Sequence, residues 1–498
     1  MSYSLGLDVG TQSTKGLLLD LASGTVVARA DASYGLIDGL PAGAAEQHPD
    51  TWRQAIRAVM GDLAREADID LRAIVAVGIS GQQHGCVVLD ADNEPVRAAK
   101  LWCDTSTADE AAEFSTAIGR QVPTGFTASK LLWIARNEPQ NWARTARVLL
   151  PHDYVNLLLT GEASMEAGDA SGSGLFDVVE RRFDGAAIEA LDRLAGSASD
   201  PGLASRLPEL MDPKTPQAPM GRVNAAAAAE FGLPEGALVS AGGGDNMMSA
   251  IGSGATSRGV ITVSLGTSGT AFGYSDSPVV DPEGLIAPFC GSAGGWMPLL
   301  CVMNLTGVTE EVKAGFELDH EQLTAAARTV APGCDELLWL PYLNGERVPD
   351  LPRASGSLVG MRPGHLRPGT LYRAALEGTS MNLAWGIERL KELGVEADEL
   401  RLVGGAARNP LWREILSSCL GAPVTTLAEH DSAALGAALQ ASWSWRHDQG
   451  DPVSLKDLSA SCIQPVGEAQ QPDPELQASY AALGQRFRTE VARIYPSA

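Results

Sequence analysis

The sequence has no cysteine pair in C-x-x-C spacing and no His-x-x-x-His pair, and its seven cysteines are scattered along 498 residues. That pattern argues against a zinc site and against a disulfide framework, and it suits reduced thiols in a cytoplasm. No opening segment combines a basic start with an apolar stretch, as a signal peptide would. No apolar run approaches the roughly 20 residues of a membrane span. Positive charge is scarce as well, with 37 Lys and Arg against 61 Asp and Glu for a formal net charge of −24. An excess of this size argues against nucleic-acid or anionic-membrane partners, so an anionic ligand would need local donors or a metal. The phosphate-binding patterns G-x-x-x-x-G-K-[ST] and G-x-G-x-x-G are also missing, which removes the P-loop and the dinucleotide fingerprint.

What remains is ordinary globular composition, 45% hydrophobic and 20% charged. The length exceeds what one hydrophobic core usually organises, so two domains are expected. Residues 3–9, 14–20 and 24–30 form three short strands joined by Gly/Ser/Thr turns. Asp50 is an N-cap candidate for a helix burying Trp52, Ile56, Met60 and Leu63. The apolar run "AIVAVGIS" (73–80) suits a strand in a sheet interior. Residues 196–223 are rich in proline and small residues and predict loops with short helical pieces. A strand, Gly-Thr-Ser turn and strand then recur at 259–275, a faint duplication of the opening unit. A helix is expected at about 370–393 with Gly394 as its C-cap. "DELRLVGGAARNPLWREIL" follows as strand, glycine turn and helix, and "SAALGAALQASW" (432–443) as a small-residue helix able to pack closely.

The opening turn, "LGLDVGTQSTKGLLLD" (5–20), concentrates polarity between two apolar runs. Gly10, Thr11, Ser13 and Thr14 would supply amide and hydroxyl donors to a phosphate, with Lys15 as a point charge. Asp8, at the end of the first strand, would hold Mg²⁺ beside a triphosphate. Gly266, Thr267 and Ser268 would act likewise from the second half. Gly404 and Gly405 would let a flat ligand lie against backbone. Each turn also has a plain structural explanation, in which glycines supply positive φ and hydroxyls bond local backbone.

The collinear segments DVGTQSTK, GISGQQHG, GGGDN, SLGTSG, YLNGER, LEGTSMNLAW, VGGAARN and DSAALGAAL resemble the FGGY carbohydrate kinases, and among them the xylulokinases. "GFTASKLLWIARN" (125–137), with Lys130 and Trp133, is similar to the family's first signature. "GSLVGM" (356–361) followed by "LYRAALEG" is similar to its second, with Thr370 a small departure. The resemblance implies a two-domain, actin-like (RNase H-like) α/β fold with a cleft between the domains. Residues 1–250 would be a sugar-binding domain and 251–498 a mainly ATP-binding one, with Gly405 and Asn409 near the adenosine.

It further implies that Asp245 is the proton acceptor for a sugar hydroxyl, although an Asp capping the next helix explains that position too. As an ordinary carboxylate, with a pKa near 4, Asp245 would be a weak base. Gln83 and His84 would bind substrate, with Gln83 where xylulokinases often carry Met. In "LWCDTST" (101–107), Trp102 and Asp104 match a Trp-Asn-Asp-x-Arg pattern, but Cys103 and Ser106 replace its Asn and Arg. Asp104 is expected at the sugar, or else as an exposed loop carboxylate. "NGERVPD" (344–350) is given no chemistry.

The expected reaction is ATP plus D-xylulose giving ADP and D-xylulose 5-phosphate, with Mg²⁺. Kinases of ribulose, gluconate or glycerol stand as alternatives, and an actin- or chaperone-like ATPase as a competitor of another class. The enzyme is expected in the cytoplasm, without nucleic-acid or membrane partners. A homodimer is compatible with the resemblance, though no interface is legible.

Overall fold

The computed structural model describes residues 2–66, 69–196 and 202–496. The chain forms two compact units: Met1–Thr256 with Phe289–Met297 and Asp431–Cys462, and Ser257–Pro288 with Pro298–His430 and Ile463–Ala498.

In the first unit, β1 (Tyr3–Val9), β2 (Ser13–Asp20) and β3 (Thr25–Ser33) make an antiparallel meander. β4 (Ile74–Gly81) joins β1 in parallel, and β5 (Pro219–Arg222) and β6 (Leu238–Ser240) extend the sheet to the order β5-β6-β4-β1-β2-β3. The two-residue strand β7 (Gly243–Gly244) pairs with the end of β4. Helix α1 (Pro49–Leu63) buries Trp52, Ile56, Val59, Met60 and Leu63 on the helical spacing. Its N-cap is His48, not Asp50: His48 Nδ1 accepts from the Asp50 N–H, because Pro49 occupies the first helical position.

Five more helices or turns position the site: α2 (Thr127–Asn137), α3 (Pro151–Thr160), a turn at Ala167–Ala170, α4 (Asp245–Ser253), and, from the second half of the chain, the 17-residue helix at Ser432–Asp448. That last helix packs as closely as its small residues predict. A Cβ on Gly6 would fall 1.9 Å from Ala434 O, and one on Gly78 2.0 Å from Ala437 O. Backbone meets backbone there, so no side chain fits.

Of the 196–223 stretch, residues 197–201 lie outside the described residues. The rest holds the expected short helical turn, at Leu203–Ser205, but also two short strands that the composition does not suggest, one of them β5 of the main sheet.

In the second unit, β8 (Val260–Leu265) and β9 (Gly269–Gly273) form the second hairpin. With β10 (Ile286–Cys290), β11 (Trp296–Val302), β12 (Glu399–Val403) and β13 (Val424–Thr426) the sheet order is β10-β11-β9-β8-β12-β13. Helices α5 (Pro368–Glu392) and α6 (Pro410–Leu420) supply core residues such as Leu376, Leu383, Ile387 and Trp412. In chain order Ser432–Asp448 is then α7. In each unit the opening hairpin has an antiparallel neighbour on one side and a parallel strand on the other, so the duplication faint in the sequence is plain in the topology. The buried Glu346 of "NGERVPD" accepts hydrogen bonds from the Met303 and Arg347 N–H groups and from Asn304 Nδ2, a structural role within this unit.

Candidate active site

The β1–β2 turn closes with the Gly10 N–H donating to Ser13 O at 3.0 Å, so that amide is committed within the turn. Thr14 is fully buried, with its hydroxyl 3.1 Å from Tyr34 OH, which in turn donates to Gly10 O. Thr11 Oγ1 donates to Gln82 Oε1 and accepts from Trp102 Nε1, both at 3.0 Å. Lys15 Nζ lies 2.5 Å from Asp431 Oδ1, immediately before α7, so the expected point charge is already paired.

Asp8 ends the polar face of β1, where Ser80 Oγ donates to its Oδ1 at 2.7 Å. Burial, opposed by Ser80 and Lys15 and reinforced by Asp431, raises the Asp8 carboxyl above its ordinary range. Among the described residues no group of three or more His, Cys, Asp or Glu side chains could cage an ion. A lone carboxylate fits Mg²⁺, which keeps waters and substrate phosphates as most of its ligands.

Asp245 opens α4 behind the glycine run, with Gly244 as the N-cap. Its Oδ1 accepts from the Asn246 N–H at 2.8 Å and from Asn246 Nδ2 at 3.1 Å. The preceding loop is held from α7, where Gln440 Oε1 accepts from the Gly242 N–H at 2.8 Å and Gln440 Nε2 donates to Gly242 O at 3.1 Å. Asp245 is not the ordinary carboxylate the sequence suggests. Burial, with the charges of Asp8 and Asp169, pushes its pKa up to about 7. A base poised near neutrality takes a proton far better than one near 4.

Gln83 and His84 follow β4 and are both buried. Asn246 Nδ2 donates to Gln83 Oε1 at 2.6 Å, and Gln83 Nε2 contacts Met247 Sδ at 3.1 Å. The structure thus brings Gln83 to the head of α4 beside Asp245. His84 has φ 61°, a conformation uncommon for any residue but glycine. Its ring lies against Phe126 and Phe289, with centroids 4.8 and 5.4 Å away.

Asp104 is not on an exposed loop. It is fully buried, and both oxygens are engaged: Oδ1 by the Ser106 N–H and hydroxyl, Oδ2 by the Ala45 N–H and Lys100 Nζ. Burial works against its charge, but these bonds hold the carboxyl below its usual range. The cation beside it is Lys100, which also donates to Ser106 Oγ at 2.9 Å and lies 4.1 Å from the Trp133 ring centre. Buried Lys130 donates to the carbonyls of Thr124, Gly125 and Phe126, tying down the start of α2.

In the second unit, Gly266, Thr267 and Ser268 form the β8–β9 turn, and the Gly266 and Thr267 carbonyls accept from the Thr306 and Leu305 N–H groups. Gly404 has φ 89°, and a Cβ there would lie 2.8 Å from Leu265 O, so the β12–α6 turn must pass through glycine. Gly405 starts the short helix leading to Asn409. Asn409 caps α6: Oδ1 accepts from the Leu411 and Trp412 N–H groups, and Nδ2 donates to Thr324 Oγ1 at 3.1 Å.

Sequence reasoning missed several residues around these groups: Gln82, Gln440, Asp431, Asn246, and the buried pair His152 and Asp169. Gln440 carried a faint signal, as a large polar residue within a small, apolar helix. His152 Nδ1 lies 3.0 Å from Asp169 Oδ2, and nothing in their spacing announces it.

Comparison with known proteins bears on these features together. Residues 3–252 match the N-terminal domain, and residues 261–445 the C-terminal domain, of the FGGY family of carbohydrate kinases. A xylulose kinase of Haemophilus influenzae is 35% identical over 507 residues, spanning 99% of this chain and all of that one. A xylulose kinase of Streptomyces coelicolor is 37% identical over 88% of this chain and 87% of its own. The crystal structure of a xyloylose kinase from Brucella ovis superposes with a TM-score of 0.89, at 30% identity and 99% coverage of both chains. Both halves are matched and the relatives run the full length, so the hydroxyl-lined turn after β1 and the carboxylate at the head of α4 are parts of a carbohydrate kinase, and the chain belongs to the FGGY family.

Proposed function

We propose that this enzyme transfers the γ-phosphoryl group of ATP to D-xylulose, giving ADP and D-xylulose 5-phosphate, with Asp245 as the proton acceptor. FGGY carbohydrate kinases use ATP as phosphate donor. The observation that carries the assignment of Asp245 is its setting: a carboxylate at the head of α4, raised to about 7 and tied through Asn246 to Gln83. The sugar is proposed from the relatives named xylulose kinase, which cover nearly the whole chain.

Phosphoryl transfer needs mainly positioning, charge neutralisation and a place for the hydroxyl proton. Asp245 would take that proton as the oxygen–phosphorus bond forms. Gln83 and His84 would hold the sugar hydroxyls beside it. The Thr11 and Ser13 hydroxyls, with Gly266, Thr267 and Ser268 from the second hairpin, would face the phosphates, and Gly404, Gly405 and Asn409 the adenosine. Lys15, paired with Asp431, and Asp104, paired with Lys100, would act by bracing the site. Asp8 would hold Mg²⁺, which when bound neutralises phosphate charge. A cytoplasmic location belongs to the same proposal, supported by seven free cysteines. No helix among the described residues is long and apolar enough to cross a membrane. Membership of a carbohydrate kinase family removes the ground for a chaperone-like ATPase.

The test is ADP release with Mg-ATP against a panel of ketoses, polyols and sugar acids. Dominant stimulation by D-xylulose is expected. Preference for ribulose, gluconate or glycerol would overturn the choice of sugar.

A further inference from the structure

Behind Gln83 and His84 the structure buries a line of alternating acids and imidazoles, Asp153, His152 and Asp169, of which the proposed chemistry uses only the charge of Asp169 on Asp245. His152, on α3, is fully buried and has a carboxylate at each ring nitrogen: Asp153 Oδ1 is 2.9 Å from Nε2, and Asp169 Oδ2 is 3.0 Å from Nδ1. Asp169, equally buried, turns its other oxygen toward His84. Oδ1 lies 3.4 Å from the His84 main-chain N and 3.6 Å from His84 Nδ1. Asp169 is itself fixed in place, because Glu166 caps its helical turn by accepting from the Gly168 and Asp169 N–H groups at 2.6 and 2.5 Å.

An unpaired buried carboxylate would be costly, and this one is offset by an imidazole on each side. Burial favours neutral His152, but Asp153 and Asp169 together raise it well above the ordinary histidine range. Burial likewise favours protonated Asp169, but His152 and His84 hold its carboxyl below the usual range. The two carboxylates thus favour the charged form of His152, and the two imidazoles favour the charged form of Asp169. Beyond Asp169 stands a histidine in a strained backbone conformation, with φ 61°. Its ring is also confined by Gly172, where a Cβ would lie 1.8 Å from His84 Cε1 and 2.1 Å from Nδ1.

We infer that Asp169 is a positioning residue of the sugar site: held between His152 and His84, it keeps the proton on His84 Nδ1, fixing the ring's tautomer and orientation toward substrate hydroxyls. Contacts of this kind are often long in an unliganded enzyme and tighten on binding. A carboxylate behind an imidazole selects which nitrogen carries the proton, and hence whether the outer nitrogen accepts or donates. The inference rests on the reading of His84 as a substrate-binding residue.

Two measurements on the intact chain test it. In ¹⁵N-histidine spectra of the wild type, His84 should carry a proton on Nδ1; an unprotonated Nδ1 would overturn the inference. In kinetics, Asp169→Asn should raise KM for D-xylulose roughly ten- to hundredfold, the worth of a hydrogen bond to a charged group, with KM for ATP unchanged. In a His84→Gln background the same substitution should add almost nothing, since the two residues act as one unit. A full, additive penalty there would show that Asp169 acts independently of His84, through Asp245 or through stability, and would overturn the inference. If Asp169→Asn does not fold, His152→Gln takes its place: a KM rise that vanishes in the His84→Gln background is expected, and one that persists rejects the coupling. A wild type that phosphorylates no sugar would remove the functional reading, while the histidine spectrum would still decide the Asp169–His84 contact.

Discussion

The side-chain amide of Asn246 meets Gln83 Oε1 at 2.6 Å, joining the loop after β4 to the first turn of α4 across 163 residues of sequence. The same nitrogen reaches Asp245 Oδ1 at 3.1 Å. The residue expected to read the sugar and the residue expected to take its proton therefore share one hydrogen-bond donor.

Gln83→Met would remove the acceptor that Asn246 Nδ2 meets across the site. A lost neutral hydrogen bond is worth about 1 kcal/mol, or roughly fivefold. The expected result is a fall of about that size in kcat/KM for D-xylulose and a changed ranking across the sugar panel, read by ADP release. An unchanged ranking would mean that Gln83 does not read the sugar.

Asp245→Asn is expected to lower sugar-dependent turnover by about two to four orders of magnitude, the usual worth of a general base. Because the Asp245 pKa lies near 7, wild-type kcat/KM should rise with pH up to about that value, and the variant should lose this limb. Stability should move oppositely. A carboxyl raised in the folded state stabilises the fold below its unfolded pKa, and that contribution is lost as pH rises through the folded one. The variant should therefore melt above the wild type at pH 8, with the gap closing below pH 4. A gap independent of pH would count against the raised carboxyl.

Asp8→Asn should raise the Mg²⁺ concentration needed for half-maximal rate, with a smaller rise for Ser80→Ala, which removes the donor to Asp8 Oδ1. Titration of activity with Mg²⁺ at fixed ATP separates the two. Unchanged half-saturation in Asp8→Asn would exclude a metal role for that carboxylate.

Gln440→Leu leaves the buried Gly242 N–H and carbonyl without their partner. A stability loss of about 1–3 kcal/mol is expected for each buried polar group left unmet. Turnover should also fall, since the loop carrying Asp245 loses its tether. Thermal melting and ADP release check the two effects; a variant as active as wild type would show that the loop holds without α7.

Local features of the fold were legible where periodicity or turn chemistry marks them. The apolar runs around Gly10–Ser13 announce β1 and β2, and the small residues of 432–443 announce a helix that packs closely. The α1 cap was misassigned to Asp50 because an N-cap preference says nothing of a histidine placed just before a proline. Partnerships across long sequence separations were not legible. Lys15 finds Asp431 after 416 residues, and no pattern local to either residue encodes that pairing. The bracing bonds of Asp104 and Asn409 were not legible, because a short polar side chain in a loop looks the same whether it faces a substrate or braces its own backbone. The proton affinity of Asp245 depends on Asp8 and Asp169, which only the tertiary structure brings near it.

The intimate seating of α7 on β1 and β4 has a consequence for synthesis. Gly6 and Gly78 meet carbonyls of a helix that ends at Asp448, so the first sheet leaves the ribosome long before its covering helix exists. At about 5–20 residues per second, that sheet waits on the order of tens of seconds with its glycine-lined face bare. The first unit cannot mature as a vectorially folded N-terminal domain. Its completion waits for α7, and a fragment stopped at residue 256 would offer the bare face to chaperones.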